Sequence, residues 1–228
     1  RNLEDMGTNM SDMDLVKIPE LHRDLSTDKV LLMEYVEGVK CTNEEQLREM
    51  DIDVADITHT GIEMGLNQVI RDGMFHADPH PSNFFIDSSG KIKLIDFGMV
   101  GKLSKKTRRK VGLLFLHIGN EDVDSAVEAI QDICTVSKEA EIDGFKQDVQ
   151  QVMLSLRNSR VKDKTLSAAM LEIINSASSR GIYFPTNLVL TGKALLTLEG
   201  ILLTVNPKAR LSTEYKDHTS TRAVLIFE

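Results

Sequence analysis

The stretch that decides the fold of this chain reads His76-Ala77-Asp78-Pro79-His80-Pro81-Ser82-Asn83, and it is followed by Lys93-Leu94-Ile95-Asp96-Phe97-Gly98. Between the two motifs, the apolar segments Phe84–Ile86 and Ile92–Ile95 flank Ser88-Ser89-Gly90, which predicts a β-hairpin. Asn83 lies five residues after Asp78, and Asp96 lies thirteen residues after Asn83. We therefore expect the hairpin to fold Asp96 back beside Asn83.

Asp78, Asn83 and Asp96 are the residue types that phosphoryl transfer from ATP requires. Such a transfer needs a divalent metal held against the phosphates and a carboxylate that orients the acceptor. The order and spacing of the three residues resemble those of the protein-kinase catalytic loop and its Asp-Phe-Gly motif. By this resemblance Asp78 orients the acceptor, while Asn83 and Asp96 bind Mg²⁺. His76 is expected to brace the loop.

Two other interpretations of the loop stay open on the sequence alone. His76, Asp78 and His80 alternate along the chain, and imidazole and carboxylate on one side of an extended segment would suit Zn²⁺ or Fe. Pro79 and Pro81 interrupt that segment, however, and no further His-rich cluster supplies ligands. A lone Asp-Phe-Gly also occurs by chance as a turn, so the phosphotransferase interpretation depends on finding both motifs together.

An apolar run upstream of the loop, Val30–Val36, predicts a strand that enters a turn at Glu37-Gly38. This strand resembles a kinase hinge with Met33 at the gatekeeper position. The carbonyl of Glu34 and the N–H of Val36 would then meet the edge of the adenine. By that resemblance the hinge and the hairpin together line the nucleotide pocket with Met33, Glu34, Val36, Phe85 and Ile95. The simpler alternative is that Val30–Val36 is only a core strand.

Helical spacing of apolar residues dominates the remainder of the chain. A capping box that starts at Thr42 predicts a short helix to about Met50, and a longer helix is expected over 54–70 with Gly73 as its C-terminal cap. From about Ser104 onward we expect helices that include 123–133, with Asn120 as a cap, 145–156, 166–177 and 187–205. The predicted class is α+β, mainly α: a protein-kinase-like carboxyl-terminal lobe with a hinge strand and a small catalytic β-hairpin.

The amino-acid sequence of the loop resembles that of one family in particular. Proteins of the UbiB family of atypical kinases carry a loop similar to His-Ala-Asp-Pro-His-Pro-Gly-Asn, followed by Ile-Asp-Phe-Gly, and this chain differs at Ser82. Further matches extend to about residue 210 and comprise Arg1-Asn2, Leu32-Met33-Glu34 with Gly38, Gly181-Ile182-Tyr183-Phe184-Pro185, Ala194-Leu195 and Glu199-Gly200. The resemblance implies binding of ATP and Mg²⁺, with hydrolysis or transfer of the γ-phosphate, in support of isoprenoid-quinone biosynthesis.

The same resemblance implies a place of action and a set of partners. We expect a cytoplasmic protein at the periphery of a membrane, with quinone-biosynthesis proteins as partners. The basic run from Gly101 to Lys110 is either a solvated helix start or a surface for anionic lipid or for a substrate phosphate. Two rival functions remain: a nucleotide-sensing scaffold without catalysis, and a small-molecule kinase of the choline or aminoglycoside type, which uses a similar loop.

Composition sets the outer limits of these expectations. The 228 residues carry 27 Lys and Arg against 35 Asp and Glu, and the resulting formal charge of −8 argues against nucleic acid as a partner. We expect no apolar run of the roughly 18–20 residues that span a membrane. Because the chain starts with Arg1, we expect a fragment, divided into an amino-terminal-lobe remnant (1–32), the hinge (33–40), the carboxyl-terminal lobe (41–210) and an unassigned tail (211–228).

Overall fold

The computed structural model describes residues 1–158, 165–209 and 211, and this part of the chain is mainly helical with small sheets. Its α-helices are α1 (Asn2–Asn9), α2 (Glu44–Glu49), α3 (Val54–Leu66), α4 (Lys105–Gly119), α5 (Val123–Ile133), α6 (Ile142–Asn158), α7 (Leu166–Ser179) and α8 (Thr186–Val205). Its strands are β1 (Val16–Lys17), β2 (Val39–Lys40), β3 (Met74–His76), β4 (Phe84–Ile86), β5 (Ile92–Leu94), β6 (Val100–Lys102), β7 (Thr135–Val136) and β8 (Ile182–Tyr183). The predicted class, α+β and mainly α, is confirmed.

The predicted hairpin lies inside a four-stranded sheet with the order β1-β5-β4-β2. β4 and β5 are antiparallel, with Phe84 opposite Leu94, while β1 runs parallel to β5 and β2 runs antiparallel to β4. A separate two-stranded sheet pairs β3 with β6 and sets His76 opposite Val100. The 76–83 loop is therefore held by a strand at each end, because it leaves β3 and enters β4.

Three apolar clusters hold the elements together. The first packs the four-stranded sheet against α1, α3 and α8, and includes Met6, Ile62, Ile86, Leu94 and Leu202. The second lies mainly among α5, α6 and α7, and includes Ile130, Phe145, Val149, Ala169 and Ile173. The third lies at the start of the loop and includes Val69, Phe75, Ala77, Val111 and Leu195. Since burial of a large apolar side chain contributes roughly 1.5–3 kcal/mol, Phe75 and its neighbours anchor the start of the loop firmly.

Helix α8 corrects one expectation from the sequence. By length and composition it is long and apolar enough to cross a membrane, whereas we expected no such run. More than half of its apolar window, 56%, is buried inside the structure, where α8 packs against α3 and α7. The buried carboxylate of Glu199 accepts a hydrogen bond from the hydroxyl of Ser167 on α7 (2.9 Å). Within this fold α8 thus behaves as a core helix.

Two of the predicted helix caps are displaced by one or two residues. Asn43, rather than Thr42, begins α2, because its side-chain oxygen accepts a hydrogen bond from the N–H of Gln46 (3.2 Å). Asp122, rather than Asn120, begins α5, where it accepts from the N–H of Ser125 (3.1 Å), and Asn120 instead ends α4. Thr, Asn and Asp can each cap a helix through a side-chain oxygen, so the spacing alone did not distinguish these neighbours.

The predicted strand over Val30–Val36 is wrong. The only β-bridge in this run, within the described part of the chain, joins Met33 to Leu21. Leu31 is 63% exposed and Tyr35 is 84% exposed, so most of the run lies outside the core, and Met33 alone of its apolar residues packs against the first cluster. A strand needs a partner along its whole length and a face to bury, and composition does not report either.

The helix predicted over 54–70 changes its form before it ends. It is α-helical to Leu66 and then continues as a π-helix over Asn67–Asp72. Gly73 caps it in the left-handed conformation (φ 64°), as predicted. The predicted tail, 211–228, lies outside the described residues except for Leu211, which is buried.

Candidate functional site

The hairpin brings Asn83 and Asp96 together. The N–H of Ile95 donates to the carbonyl of Asn83 (3.0 Å), which closes the open end of the hairpin. Strand β5 itself ends at Leu94, one residue earlier than predicted. The side-chain Nδ2 of Asn83 then donates to one carboxylate oxygen of Asp96 (3.5 Å). The expectation that these two side chains meet across the hairpin agrees with this geometry.

The backbone of Asp96 has a conformation that few residues adopt. Its φ is 69°, a positive value shared in the described residues by only two other non-glycine positions, Asp51 and Glu121. The second carboxylate oxygen of Asp96 accepts a hydrogen bond from the N–H of Gly98 (2.9 Å), which stabilises the turn. Asp and Asn tolerate this left-handed region better than most residues. Strained backbone of this kind is characteristic of functional sites.

His76 braces the start of the loop from inside the protein. Its side chain is buried, its backbone N–H donates to the side-chain oxygen of Gln68 (3.0 Å), and its Nδ1 accepts from the N–H of Asp78 (3.2 Å). Its ring also packs against Phe97, with the ring centroids 5.7 Å apart. His76 thus connects the π-helix, the loop and the Asp-Phe-Gly turn through three separate contacts.

The environment of His76 favours a neutral ring. Burial lowers its pKa, and this effect outweighs interactions with the backbone of Asp96 and Ile95 and with the carboxylates of Asp96 and Asp78. Its Nε2 is buried and makes no hydrogen bond of normal geometry with any described residue.

Several polar side chains of the loop and of the Asp-Phe-Gly turn are exposed. Asp78, His80 and Ser82 are exposed, whereas the intervening Pro79 is buried. Asp96 is exposed as well. We call these four exposed side chains, together with the half-buried Asn83, the loop face. Oxygen atoms dominate this surface, which is the donor chemistry that suits a hard divalent cation.

The donor set of the loop face fits Mg²⁺ better than a transition metal. The described residues contain no group of three or more His, Cys, Asp or Glu side chains placed to hold a metal ion. Nδ1 of His76 and Nδ1 of His80 are each already hydrogen-bonded to the backbone. The Zn²⁺ or Fe alternative therefore has no support, whereas Mg²⁺ needs only one or two protein ligands beside phosphate oxygens and waters.

The segment predicted as a hinge contains an isolated β-bridge, between Met33 and Leu21. The N–H of Glu34 donates to the carbonyl of Glu20 (2.8 Å), and its carboxylate pairs with Lys17 (3.0 Å), which lowers the pKa of Glu34. Within the described part of the chain, the carbonyl of Glu34 and the N–H of Val36 make no backbone hydrogen bond. Met33 packs against the first cluster. Phe85 and Ile95 are half-buried on the hairpin. The roles assigned to these five residues remain predictions.

Two contacts hold the hinge segment against the hairpin. Gly38 (φ 152°) lies so close to β4 that a Cβ atom there would be 2.9 Å from the carbonyl oxygen of Ile86. Lys93 donates to the carbonyl of Glu37 (3.1 Å) and pairs with the carboxylate of Asp87 (3.1 Å). Lys93 and Asp87 thus fix the distance between the hinge and the hairpin.

Asp87 gives a pH-dependent test of that arrangement. Partial burial alone would raise its pKa, but hydrogen bonds from Ser89 and Lys93 outweigh burial and lower the pKa to about 2. Its stabilising effect is therefore complete above the unfolded value of about 3.9 and is lost as the pH falls through the folded value. We expect Asp87→Asn to lower the free energy of unfolding by about 2 kcal/mol at neutral pH, and this difference should close near pH 2.

Chemical denaturation across a pH series would measure this difference. Asp28→Asn, at an exposed position outside the hairpin, is the matched control. A deficit for Asp87→Asn that stays constant down to the lowest pH would contradict the electrostatic explanation.

Several residues that support the site were not predicted from the sequence. The side-chain amide of Asn2 donates to the carbonyl of Phe97 (3.0 Å), and the thiol of Cys41 donates to the carbonyl of Pro81 (3.2 Å). The side-chain oxygen of Gln68 accepts a hydrogen bond from the N–H of His76. Burial raises the pKa of the Cys41 thiol to about 11. Of these three residues, only Gln68 could have been noticed in the sequence, because it is a polar residue within an apolar helical pattern.

The family model that describes the ABC1 atypical kinase-like domain matches residues 1–130 of this chain. The chain belongs to the ABC1 atypical kinase-like family. The matched range includes the hinge segment, the loop face and the Asp-Phe-Gly turn, so it covers every residue of the candidate site. The predicted resemblance to the UbiB family of atypical kinases is confirmed.

Named relatives agree with membership of the ABC1 family. The chain is 28% identical over 207 residues to Protein ACTIVITY OF BC1 COMPLEX KINASE 1, chloroplastic, of Arabidopsis thaliana. It is 29% identical over 209 residues to ACTIVITY OF BC1 COMPLEX KINASE 7, chloroplastic, of the same organism. Each match covers 91% of this chain but only 30% of the relative. The chain thus spans about a third of the length of these relatives.

The fold of this ABC1-family chain is also found in a solved structure. The complex structure of Rv3197 with erythromycin, from Mycobacterium tuberculosis, superposes with a TM-score of 0.60. The match covers 90% of this chain and 52% of the other, at 17% sequence identity. At that identity the similarity concerns the fold alone.

Proposed function

We propose that this ABC1-family protein is an atypical kinase or ATPase that binds ATP and Mg²⁺ at the loop face. It would hydrolyse the nucleotide or transfer its γ-phosphate. The observation that carries this proposal is the contact between Asn83 and Asp96 across the hairpin (3.5 Å), with Asp78 exposed in the loop that leads into it. Asn83 and Asp96 would thus supply two oxygen ligands to the metal, and Asp78 would supply a separate carboxylate that orients the acceptor.

Each residue then has one task. Asn83 and Asp96 hold Mg²⁺, which when bound neutralises charge on the phosphates. Asp78 orients the attacking hydroxyl or water and accepts its proton. His76 stays buried and neutral, and positions Asp78 through the hydrogen bond between its Nδ1 and the Asp78 N–H. Glu34 and Val36 offer backbone groups to the adenine edge, with Met33, Phe85 and Ile95 around it.

The biological role that we propose rests on the resemblance to the UbiB family. A role in isoprenoid-quinone biosynthesis at the periphery of a membrane, on its cytoplasmic side, fits the UbiB resemblance. The exposed basic side chains of Lys102 at the end of β6 and of Lys105 and Lys106 at the start of α4 offer a surface for anionic lipid headgroups.

Calorimetric titration of the protein in its natural full length with ATP tests the proposal. In the presence of Mg²⁺ we expect binding that weakens by at least about tenfold when a chelator removes the metal. Asn83→Ala should remove most of this metal dependence, because Asn83 supplies one of the two protein oxygens. Asn120→Ala, at the exposed end of α4, is the matched control.

Two outcomes would count against the proposal in different ways. Equal affinity for ATP with and without Mg²⁺ would contradict the metal site. Tight Mg²⁺-dependent binding without any release or transfer of phosphate would instead support the scaffold alternative.

A further inference from the structure

The backbone N–H of His76, at the start of the loop, is not used by the sheet to which His76 belongs. The N–H of Ala77 donates to the carbonyl of Met99 (3.0 Å), so Ala77 occupies a hydrogen-bonded position opposite β6. Paired residues of an antiparallel ladder alternate between hydrogen-bonded and non-hydrogen-bonded positions. His76, opposite Val100, therefore occupies a non-hydrogen-bonded position, and its N–H points away from β6.

The side chain of Gln68 supplies the partner that β6 does not. Its Oε1 accepts a hydrogen bond from the N–H of His76 (3.0 Å). Both residues are buried, with Gln68 4% exposed and His76 5% exposed. A buried N–H that loses its partner is destabilising, so this bond resists displacement of the backbone at His76. Gln68 thus holds the start of the loop from the side opposite to β6.

Gln68 reaches His76 from an unusual turn of helix. The chain leaves α3 at Leu66 and continues as a π-helix over Asn67–Asp72. Such turns are rare and occur frequently at functional sites. The adjacent Asn67 is equally buried, but its side-chain nitrogen donates to Sδ of Met13 (3.3 Å). Of these two neighbouring amides, Gln68 is therefore the one that is bonded to the loop.

The bond from Gln68 is the first of two hydrogen bonds that lead to the proposed acceptor-orienting carboxylate. In the second bond, Nδ1 of His76 accepts from the N–H of Asp78 (3.2 Å). Gln68 itself is buried and lies outside the loop face, so it does not meet a nucleotide bound there. Any effect of Gln68 on the chemistry passes through the backbone of His76.

We propose that Gln68 is a positioning residue, which holds the backbone of His76 from the π-helix and thereby sets the place of Asp78 for the acceptor. This inference rests on the proposed function. Asn83 is held separately, because its carbonyl accepts from the N–H of Ile95 across the hairpin. Loss of the Gln68 contact should therefore slow the chemical step and spare the binding of nucleotide and metal.

Kinetics and nucleotide titration of the full-length protein test this role. Gln68→Met keeps the length of the side chain but removes the acceptor oxygen. It should lower kcat for ATP hydrolysis by about 10- to 100-fold, because small displacements of a catalytic group have effects of this size. The dissociation constant for ATP in the presence of Mg²⁺ should change by less than about twofold. Gln68→Glu keeps an acceptor oxygen in either protonation state and should recover most of the rate.

Asn67→Leu is the matched control for these variants. It removes a buried amide from the same π-helix, but that amide is bonded to Met13 and not to the loop. We expect both Asn67→Leu and Gln68→Met to lower the melting temperature, and only Gln68→Met to lower kcat by more than about twofold.

Hydrogen exchange of the nucleotide-free protein, followed by mass spectrometry at single-residue resolution, tests the contact without any activity measurement. Gln68→Met should accelerate exchange of the N–H groups of His76 and Asp78 by about tenfold or more. The N–H of Ala77, which is bonded to the carbonyl of Met99, should change by less than about twofold. Asn67→Leu should leave the relative rates of these three groups as they are in the wild type.

The outcomes separate this inference from the function on which it depends. Equal losses of kcat in Gln68→Met and Asn67→Leu, or a loss of ATP affinity as large as the loss of kcat, would overturn the positioning role alone. Unchanged exchange at His76 in Gln68→Met would overturn the contact itself. Wild-type protein that neither binds nor hydrolyses ATP would overturn the proposed function and, with it, the role of Gln68 in catalysis.

Discussion

Replacement of Asp96 by Asn is expected to lower the rate of ATP hydrolysis by the full-length protein by about 10²-fold or more. The change removes the negative charge that is proposed to hold the metal against the phosphates, while it keeps the size of the side chain. It should leave the fold intact, because Asn also tolerates the positive φ of 69° at this position. The melting temperature should therefore match that of the wild type.

Asp51→Asn provides a closely matched control for this experiment. Asp51 is also exposed and also has a positive φ (49°), but it lies outside the candidate site, between α2 and α3. The same chemical change in the same backbone conformation should leave turnover unaltered. Full turnover by Asp96→Asn would remove Asp96 from the metal site, and equal losses in both variants would indicate a general effect on the fold.

Asp78→Asn is expected to have an equally large effect on the rate but a different effect on binding. Asp78 is proposed to orient the acceptor and take its proton, so its loss should lower kcat by about 10²- to 10⁴-fold. The affinity for ATP in the presence of Mg²⁺ should change by less than about twofold, because Asp78 is not one of the proposed metal ligands. The backbone contact between Asp78 and His76 would be retained.

Measurement of kcat together with the nucleotide dissociation constant separates the two aspartates. Asp14→Asn, at an exposed position before β1, serves as the control for charge removal. If Asp78→Asn weakened ATP binding as strongly as it slowed turnover, Asp78 would belong with the metal ligands. An unchanged kcat would exclude it from the chemistry altogether.

The site was predictable from the sequence where its geometry is local. Asn83 and Asp96 flank a hairpin of short strands, and the pairing of Phe84 with Leu94 is sufficient to bring them together. The left-handed cap at Gly73 was likewise predictable, because glycine favours that backbone conformation. In these cases a few neighbouring residues decide the conformation.

Other features depended on partners that no local pattern identifies. The apolar run Val30–Val36 was predicted to be a strand, yet it forms only one bridge, because its exposed side chains have no sheet to join along its length. The contacts of Asn2 with Phe97 and of Cys41 with Pro81 join residues 95 and 40 positions apart. The apolar length of helix α8 was underestimated for the same reason. Its polar residue Glu199 is buried and hydrogen-bonded to Ser167 on α7, a partner that the local sequence does not identify.

The sequence by itself determined the residue types and spacing of the loop face, the hairpin that joins its two halves, and the family to which the chain belongs. The tertiary structure alone decided that Gln68 supports the loop and that Asn2 supports the Asp-Phe-Gly turn. The reason is physical: spacing along the chain determines which backbone groups can pair locally. The donors and acceptors of individual side chains are assigned only when packing brings distant elements into contact.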